Sequence, residues 1–266
     1  MAGPKGLKLA ISGKGGVGKS TVAGTLARLW AAAGVRVLAI DADPDANLAS
    51  AIGMPPELRA TIRSIASERR LIEERTGAKV REFGQMFKLN PEVADIAERY
   101  AVNHAGVDLL VLGAVERVEG GCACPESVLL KSLVRHLVLH RGEVAILDME
   151  AGIEHLGRGT AMGVDAMLAV VEPGRRSVET ALRVREMSAA LGIRSFLVVL
   201  NKSTDVEQDR RWIAAEFGPG VLAGVIPYDT RVAQADRLGL SLFEPAYNDL
   251  LVPFRDLLHA LIGEPR

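Results

Sequence analysis

Aromatic residues are scarce in this chain, at 4%, and cysteine occurs only twice. A core short of aromatics is built from Ala, Val and Leu, the packing of parallel strands buried beneath helices. Two cysteines point to a reducing, cytoplasmic compartment rather than a disulfide-held secreted protein. Charge of neither sign prevails: 32 Lys and Arg face 33 Asp and Glu, for a net charge of −1. No basic surplus therefore advertises nucleic-acid binding. No apolar run approaches the ~20 residues of a membrane span. The opening run Met1-Ala2-Gly3-Pro4-Lys5 lacks the apolar stretch of a signal peptide. What remains is a chain of 266 residues, 48% hydrophobic. That length suits one α/β domain, expected over 1–266.

Apolar, strand-like runs at 7–12, 35–40, 108–113, 144–149, 166–171, 194–200 and 221–226 alternate with helical patterns at 19–33, 125–140, 178–191, 207–217 and 247–262. The alternation predicts a mostly parallel sheet with helices on both faces, a three-layer α/β/α architecture. Ligands of such sheets bind beyond the carboxyl ends of the strands. Residues 55–105 are less regular, and the Arg/Glu-rich stretch from Glu57 to Arg75 predicts an exposed helix.

The first strand runs into Gly13-Lys14-Gly15-Gly16-Val17-Gly18-Lys19-Ser20-Thr21, and a helix follows. Strand, glycine loop, Lys-Ser and helix is the context of a phosphate-binding P-loop. Its backbone N–H groups and the positive end of the helix cradle phosphate oxygens. Lys19 reaches the β- and γ-phosphates, and the Ser20 hydroxyl holds Mg²⁺. The same letters fit the dinucleotide fingerprint G-x-G-x-x-G, with Asp41 about 20 residues on as its ribose acid. Lys19-Ser20 favours the P-loop, because a dinucleotide-binding helix has no use for that pair.

An ordinary P-loop makes no demand on the position of Lys14. A lysine directly after the first glycine resembles the deviant P-loop of the MinD/ParA/nitrogenase-iron-protein superclass. That resemblance implies a homodimer with two ATP molecules at its seam, where Lys14 reaches the partner's nucleotide. It also casts Asp41-Ala42-Asp43-Pro44 as the first switch, with Asp43 orienting the attacking water and Asp41 near the Mg²⁺ shell. Val144-Ala145-Ile146-Leu147-Asp148 is a Walker B pattern, so Asp148 holds Mg²⁺ directly or through water. Asn201-Lys202 ends another strand. Thr204 stands where a guanine-binding protein needs an acid, and Asp205 comes one residue late, which argues against GTP. An amide can pair with the adenine edge. The resemblance puts Asn201 at the base, with Pro227, Tyr228 and Asp229 lining its pocket.

The second candidate site is Gly120-Gly121-Cys122-Ala123-Cys124-Pro125. In an extended loop, residues two apart point the same way, so both sulfurs can face one ion. Pro125 suits the first position of a helix that Cys124 would cap, and a helix N-terminus favours thiolate. Two thiolates leave a soft metal's shell half filled, and a two-fold axis through the loop supplies four sulfurs. A pair of structural cysteines is the plainer alternative. His136 and His140, four apart on one helix, have chelating spacing but no evident third ligand.

Together with Asp148-Met149-Glu150-Ala151-Gly152-Ile153-Glu154-His155, these motifs resemble the CooC-type maturation ATPases of carbon monoxide dehydrogenase across nearly the whole chain. The resemblance implies ATP/ADP and Mg²⁺ as cofactors, Ni²⁺ or Zn²⁺ at the CxC pair, a homodimer, and a client metalloenzyme. Two other classes remain: a spatial-organising ATPase of the MinD or ParA type, and an iron–sulfur cluster carrier. The tail 248–266 is amphipathic but nearly uncharged overall, which favours core packing over a membrane anchor. Neither nucleic acid nor stable membrane insertion is expected.

Overall fold

The computed structural model describes residues 6–80, 82, 85–113, 124–137, 139, 142–149 and 163–262. Eight strands form one sheet: β1 (Leu7–Ser12), β2 (Arg36–Ala42), β3 (Val102–His104), β4 (Val107–Val111), β5 (Glu143–Met149), β6 (Ala166–Val171), β7 (Ser195–Ser203) and β8 (Leu222–Pro227). Their order is β3-β4-β2-β5-β1-β6-β7-β8. All pairs are parallel except β3 with β4. The apolar runs explain this. A strand covered on both faces has no polar side to show, and every residue of β6 is buried.

Alternate residues of those runs serve opposite faces. Leu9, Ile11, Ile146, Leu168 and Val170 pack with α1 (Lys19–Ala32) and with α10 (Val252–Ile262) on one side. Ala10, Leu147 and Met167 face the other side with α4 (Arg69–Thr76) and α6 (Pro125–Arg135). Farther along that second face, Ala169, Val198 and Leu200 meet α7 (Arg175–Ala190) and α8 (Val206–Phe217). The result is the predicted three-layer sandwich. Helix α1 is its hub. Trp30 is 2% exposed, and Gly24 packs so closely on α2 (Leu48–Ala51) that a Cβ there would lie 2.8 Å from the Ala51 carbonyl carbon.

Several expectations change. The exposed helix foreseen over Glu57 to Arg75 is three short pieces: α3 (Pro56–Arg59), a 3₁₀ turn (Ile65–Ser67) and α4. Ile65, Leu71 and Ile72 are buried there, because the segment covers the sheet instead of standing off it. α5 (Ile96–Tyr100) and the antiparallel edge strand β3 follow. α6 stops at Arg135, with His136 as its C-cap. α9 (Thr230–Arg237), unforeseen, follows β8, and the helix expected from 247 is a 3₁₀ helix (Pro245–Leu251) running into α10. Phe254 and Leu257 of α10 are buried, so its apolar stripe packs on β8 and the core. Among the described residues, no helix is long and apolar enough to cross a membrane.

Candidate functional site

Every strand that carries a predicted site residue delivers it to the carboxyl edge of the sheet. The P-loop leaves β1, Asp43 follows β2, Asp148 lies near the end of β5, Asn201 and Lys202 lie near the end of β7, and Tyr228 follows β8. A cavity of about 530 Å³ opens there, and its lining includes Gly15, Gly16, Gly18, Lys19, Ser20 and Thr21. Across from them stand Asp43, Asn201, Lys202, Pro227, Tyr228 and Asp229. Gly13, Lys14, Val17, Asp41 and Asp148 lie outside that lining.

The loop's shape needs its glycines at two points. Gly13 has φ +151°, and a Cβ would overlap the carbonyl oxygen of Val170 on β6. Gly18 caps α1 at φ +96° in the left-handed region, where a Cβ would overlap Asn201 Nδ2. Asn201 is 8% exposed, and its Nδ2 donates to the Val17 carbonyl at 2.8 Å. Lys202, at φ +59°, donates to the Gly16 carbonyl at 2.6 Å. The end of β7 therefore holds the phosphate loop in place while leaving the Asn201 amide oxygen as an acceptor. Asp205 accepts Gln208 N–H at 3.1 Å as the N-cap of α8, so it is engaged in capping.

Asp41 and Asp148 are wholly buried neighbours across the β2–β5 pair. Asp41 accepts two backbone N–H bonds, from Asp43 at 3.1 Å and Leu48 at 2.9 Å. Burial outweighs those bonds and the nearby Asp43 charge adds to it, so its carboxyl rises to about 6. These bonds draw the switch loop into a turn. Asp43 Oδ1 accepts Asp45 N–H at 3.0 Å, Ala46 N–H bonds to the Asp43 carbonyl, and Ala46 sits at φ +46°. Neither Asp148 oxygen has a hydrogen bond of good geometry, although the Ser20 hydroxyl lies near enough to favour the carboxylate. Burial pushes its carboxyl up to about 7, with Ser20 and Lys19 pulling down and Asp41 and Asp43 pushing up. Buried polar atoms are rarely left so. Two such oxygens beside Ser20 and Lys19 suit a divalent cation, and Ser20 and Asp148 fit Mg²⁺ as oxygen donors.

Sequence reasoning missed two charged residues here. Arg231 donates to Asp229 at 2.8 Å and to Asp249 at 2.7 Å, tying the base-side rim to the 3₁₀ helix. Asp229 also caps α9 through Arg231 N–H. Glu172, first after β6, pairs with Lys14 at 3.9 Å and Lys202 at 3.7 Å. Its place as the polar residue ending an apolar run was the available signal.

Of the cysteine pair, Cys122 lies outside the described residues, as do His140 and 150–162. Cys124 caps α6, accepting Ser127 N–H at 3.4 Å. Its thiol is nonetheless raised above the ordinary range. Burial is the largest cause and Glu126 adds to it, against the Ser127 bond. The expectation of a helix-stabilised thiolate is corrected: in the lone subunit the cap is outweighed. Among the described residues, no group of three or more His, Cys, Asp or Glu is arranged to hold a metal.

Residues 8–242 match the CobQ/CobB/MinD/ParA nucleotide-binding domain family. A carbon monoxide dehydrogenase accessory protein, CooC, from Rhodospirillum rubrum is 45% identical over 257 residues, 97% of this chain and 95% of that protein. An uncharacterised ATP-binding protein of Methanocaldococcus jannaschii is 45% identical over 235 residues, 88% of this chain and 90% of that one. Among solved structures, MinD of Pyrococcus horikoshii complexed with Mg-ADP superimposes with a TM-score of 0.66 at 19% identity, covering 96% of both chains.

Proposed function

The chain belongs to the CobQ/CobB/MinD/ParA nucleotide-binding family as an ATPase, and from that premise we propose a homodimeric accessory protein that uses ATP hydrolysis to handle a soft metal for carbon monoxide dehydrogenase. The observation that carries the nucleotide half is Asp148, buried beside the P-loop with neither oxygen in a well-formed hydrogen bond. The 45% identity to a carbon monoxide dehydrogenase accessory protein along nearly the whole chain supports the client. The whole of 1–266 acts as one ATPase unit.

ATP enters the cavity with its phosphates on the N–H groups of Gly15 to Thr21 and with Lys19 at the β- and γ-phosphates. Adenine lies toward Asn201 and the Pro227-Tyr228-Asp229 rim. The Asn201 amide oxygen accepts from the adenine amino group, while guanine would bring an opposing carbonyl. Mg²⁺, held by Ser20 and Asp148, would neutralise charge on the β- and γ-phosphates. Asp41 would support this ion indirectly, by holding the backbone of the first switch through the Asp43 and Leu48 N–H groups. Asp43 presents its second carboxylate oxygen to a water. That water attacks the γ-phosphorus, and the bond to the β,γ-bridging oxygen breaks with its electron pair on ADP. The water's protons end on Asp43 and phosphate.

Lys14 crosses to the partner's nucleotide, so ATP closes the dimer. Closure brings the Cys122 and Cys124 pairs of both subunits around one Ni²⁺ or Zn²⁺ ion. Four thiolates answer the raised Cys124 pKa, because a bound metal deprotonates its sulfur ligands. A membrane organiser is less well supported, since the apolar stripe of α10 is spent on the core. A cytoplasmic location follows from the proposed client.

Metal content and ATP turnover of the purified protein test this reading. We expect about one metal ion per pair of chains in the ATP-loaded dimer, and loss of metal with retained ATP hydrolysis in a Cys122→Ser, Cys124→Ser variant. Metal held unchanged by that variant, or by a monomer, would sink the shared site. An iron–sulfur absorption spectrum after anaerobic reconstitution would reassign the cargo.

A further inference from the structure

Glu172 has no part in the nucleotide chemistry above, yet its carboxylate lies between two ammonium groups on the rim of the phosphate loop. Oε1 is 3.9 Å from Lys14 Nζ and Oε2 is 3.7 Å from Lys202 Nζ. Lys202 is itself fastened to the loop through the Gly16 carbonyl. The backbone beneath Glu172 is fixed. Its N–H donates to Ser177 Oγ of α7 at 3.1 Å, β6 is buried throughout, and Gly13 presses against Val170 with no room for a Cβ. By contrast the charged tips are part-exposed: 42% for Lys14, 41% for Lys202 and 31% for Glu172. A rigid base thus carries an exchangeable contact.

We propose that Glu172 is a positioning residue that keeps Lys14 on its own subunit until a facing nucleotide draws it away. The inference rests on the dimeric reading above, in which Lys14 serves the partner's phosphates. Part-exposed ion pairs at these separations are weak. A triphosphate offers Lys14 more negative charge than one carboxylate already shared with Lys202. When Lys14 leaves, Lys202 still neutralises Glu172, so release strands no charge. Without nucleotide, the contact reduces the fraction of subunits whose Lys14 is free to cross. Apparent self-association weakens by that same fraction. Glu172 therefore makes closure depend on a real triphosphate opposite, and resists closure on an empty site.

Glu172→Gln tests this, because it keeps the side chain's size and leaves the Glu172 N–H bond to Ser177 untouched. The first readout is acylation of Lys14 by an N-hydroxysuccinimide ester in the nucleotide-free protein, scored by mass spectrometry against exposed Lys88. Losing the carboxylate removes the contact that holds the Lys14 tip beside Glu172, so the amine meets the ester more freely and Lys14 labelling should rise. The second is sedimentation velocity without nucleotide, with ADP and with a nonhydrolysable ATP analogue. The variant should self-associate about two- to fivefold more tightly with the analogue, and should begin to associate with ADP. Unchanged Lys14 labelling overturns the contact. Faster labelling with unchanged or weaker association overturns the restraint, while wild-type dimerisation with the analogue would leave the dimer reading standing. A wild type that stays monomeric with the analogue overturns the dimer reading and the restraint with it.

Discussion

Asp148 faces a conflict that burial creates: it is ionisable and wholly buried, and neither oxygen has a well-formed hydrogen bond, with the nearby Ser20 hydroxyl offsetting the burial only in part. Its carboxyl rises to about 7 from an ordinary 3.8. The folded state therefore binds a proton more tightly than the unfolded state between about pH 4 and 7. Stability falls as pH rises through that window and is flat above it. The strain at pH 8 is on the order of 2–4 kcal/mol. Asp148→Asn should thus stabilise the Mg²⁺-free, nucleotide-free protein at pH 8, with the gain vanishing near pH 4, while abolishing Mg-ATP hydrolysis. Urea denaturation of both proteins at the two pH values checks this, and an Asn variant less stable at pH 8 would refute it. Cys124 is shifted in the same direction, with its reactivity as the readout. Burial raises its thiol, so iodoacetamide labelling of the metal-free protein should be slower at pH 7 than for a free thiol and should climb as the pH is raised. The placement of Asp41, Asp43 and Asp148 at or beside strand ends was legible because an apolar run closed by an acid marks where a buried strand reaches the edge of the sheet. The roles of Glu172 and Arg231 were not, because each acts on partners that only the fold brings near.

Elements were legible where burial on two faces writes a continuous apolar run. β1, β5 and β6 follow their expected bounds within a residue for that reason. The segment from Pro56 to Tyr100 was not, because its helices are too short to show a period and its buried residues, Ile65, Leu71 and Ile72, sit among charges. α6 ended early because His136 closes it, while Val138 and Leu139 prolong the apolar pattern. The α1–α2 contact gives a direct test of how tightly these short pieces are pressed. An exposed helical Gly→Ala change ordinarily gains about 1 kcal/mol. At Gly24 the new Cβ would meet Ala51 backbone at 2.8 Å, and overpacking of that kind costs about 1–3 kcal/mol. Gly24→Ala should therefore destabilise by about 1–2 kcal/mol in urea, and also raise the KM for ATP, since α2 carries Ser50 and Ala51 on the cavity wall. A stabilised variant would mean that α2 yields freely.

At the scale of the molecule, parallel strands send every catalytic candidate to one edge, and the order of the sheet spreads them along it. The first-switch acids Asp41 and Asp43 stand at the end of β2 and just past it, and the pair Glu172 and Lys202 stand at β6 and β7, with the P-loop between. That arrangement was readable from the strand-and-motif alternation. What would face that edge was not, because the second copy proposed above would leave no periodic mark on a sequence. Whether Lys14 acts on its own nucleotide or its partner's can be settled by mixing two inactive variants. Lys14→Gln keeps an intact Asp43 but lends no lysine. Asp43→Asn keeps the lysine but lacks the carboxylate that orients water. Each homodimer should be inactive. If Lys14 crosses, a mixed dimer contains one complete site, formed by the Asp43 of the first variant and the Lys14 of the second. Equal mixing makes half the dimers mixed, each with one of two sites working, so turnover should recover to about a quarter of wild type. If Lys14 serves its own subunit, neither site of the mixed dimer is complete, and no recovery at any mixing ratio would rule out the crossing.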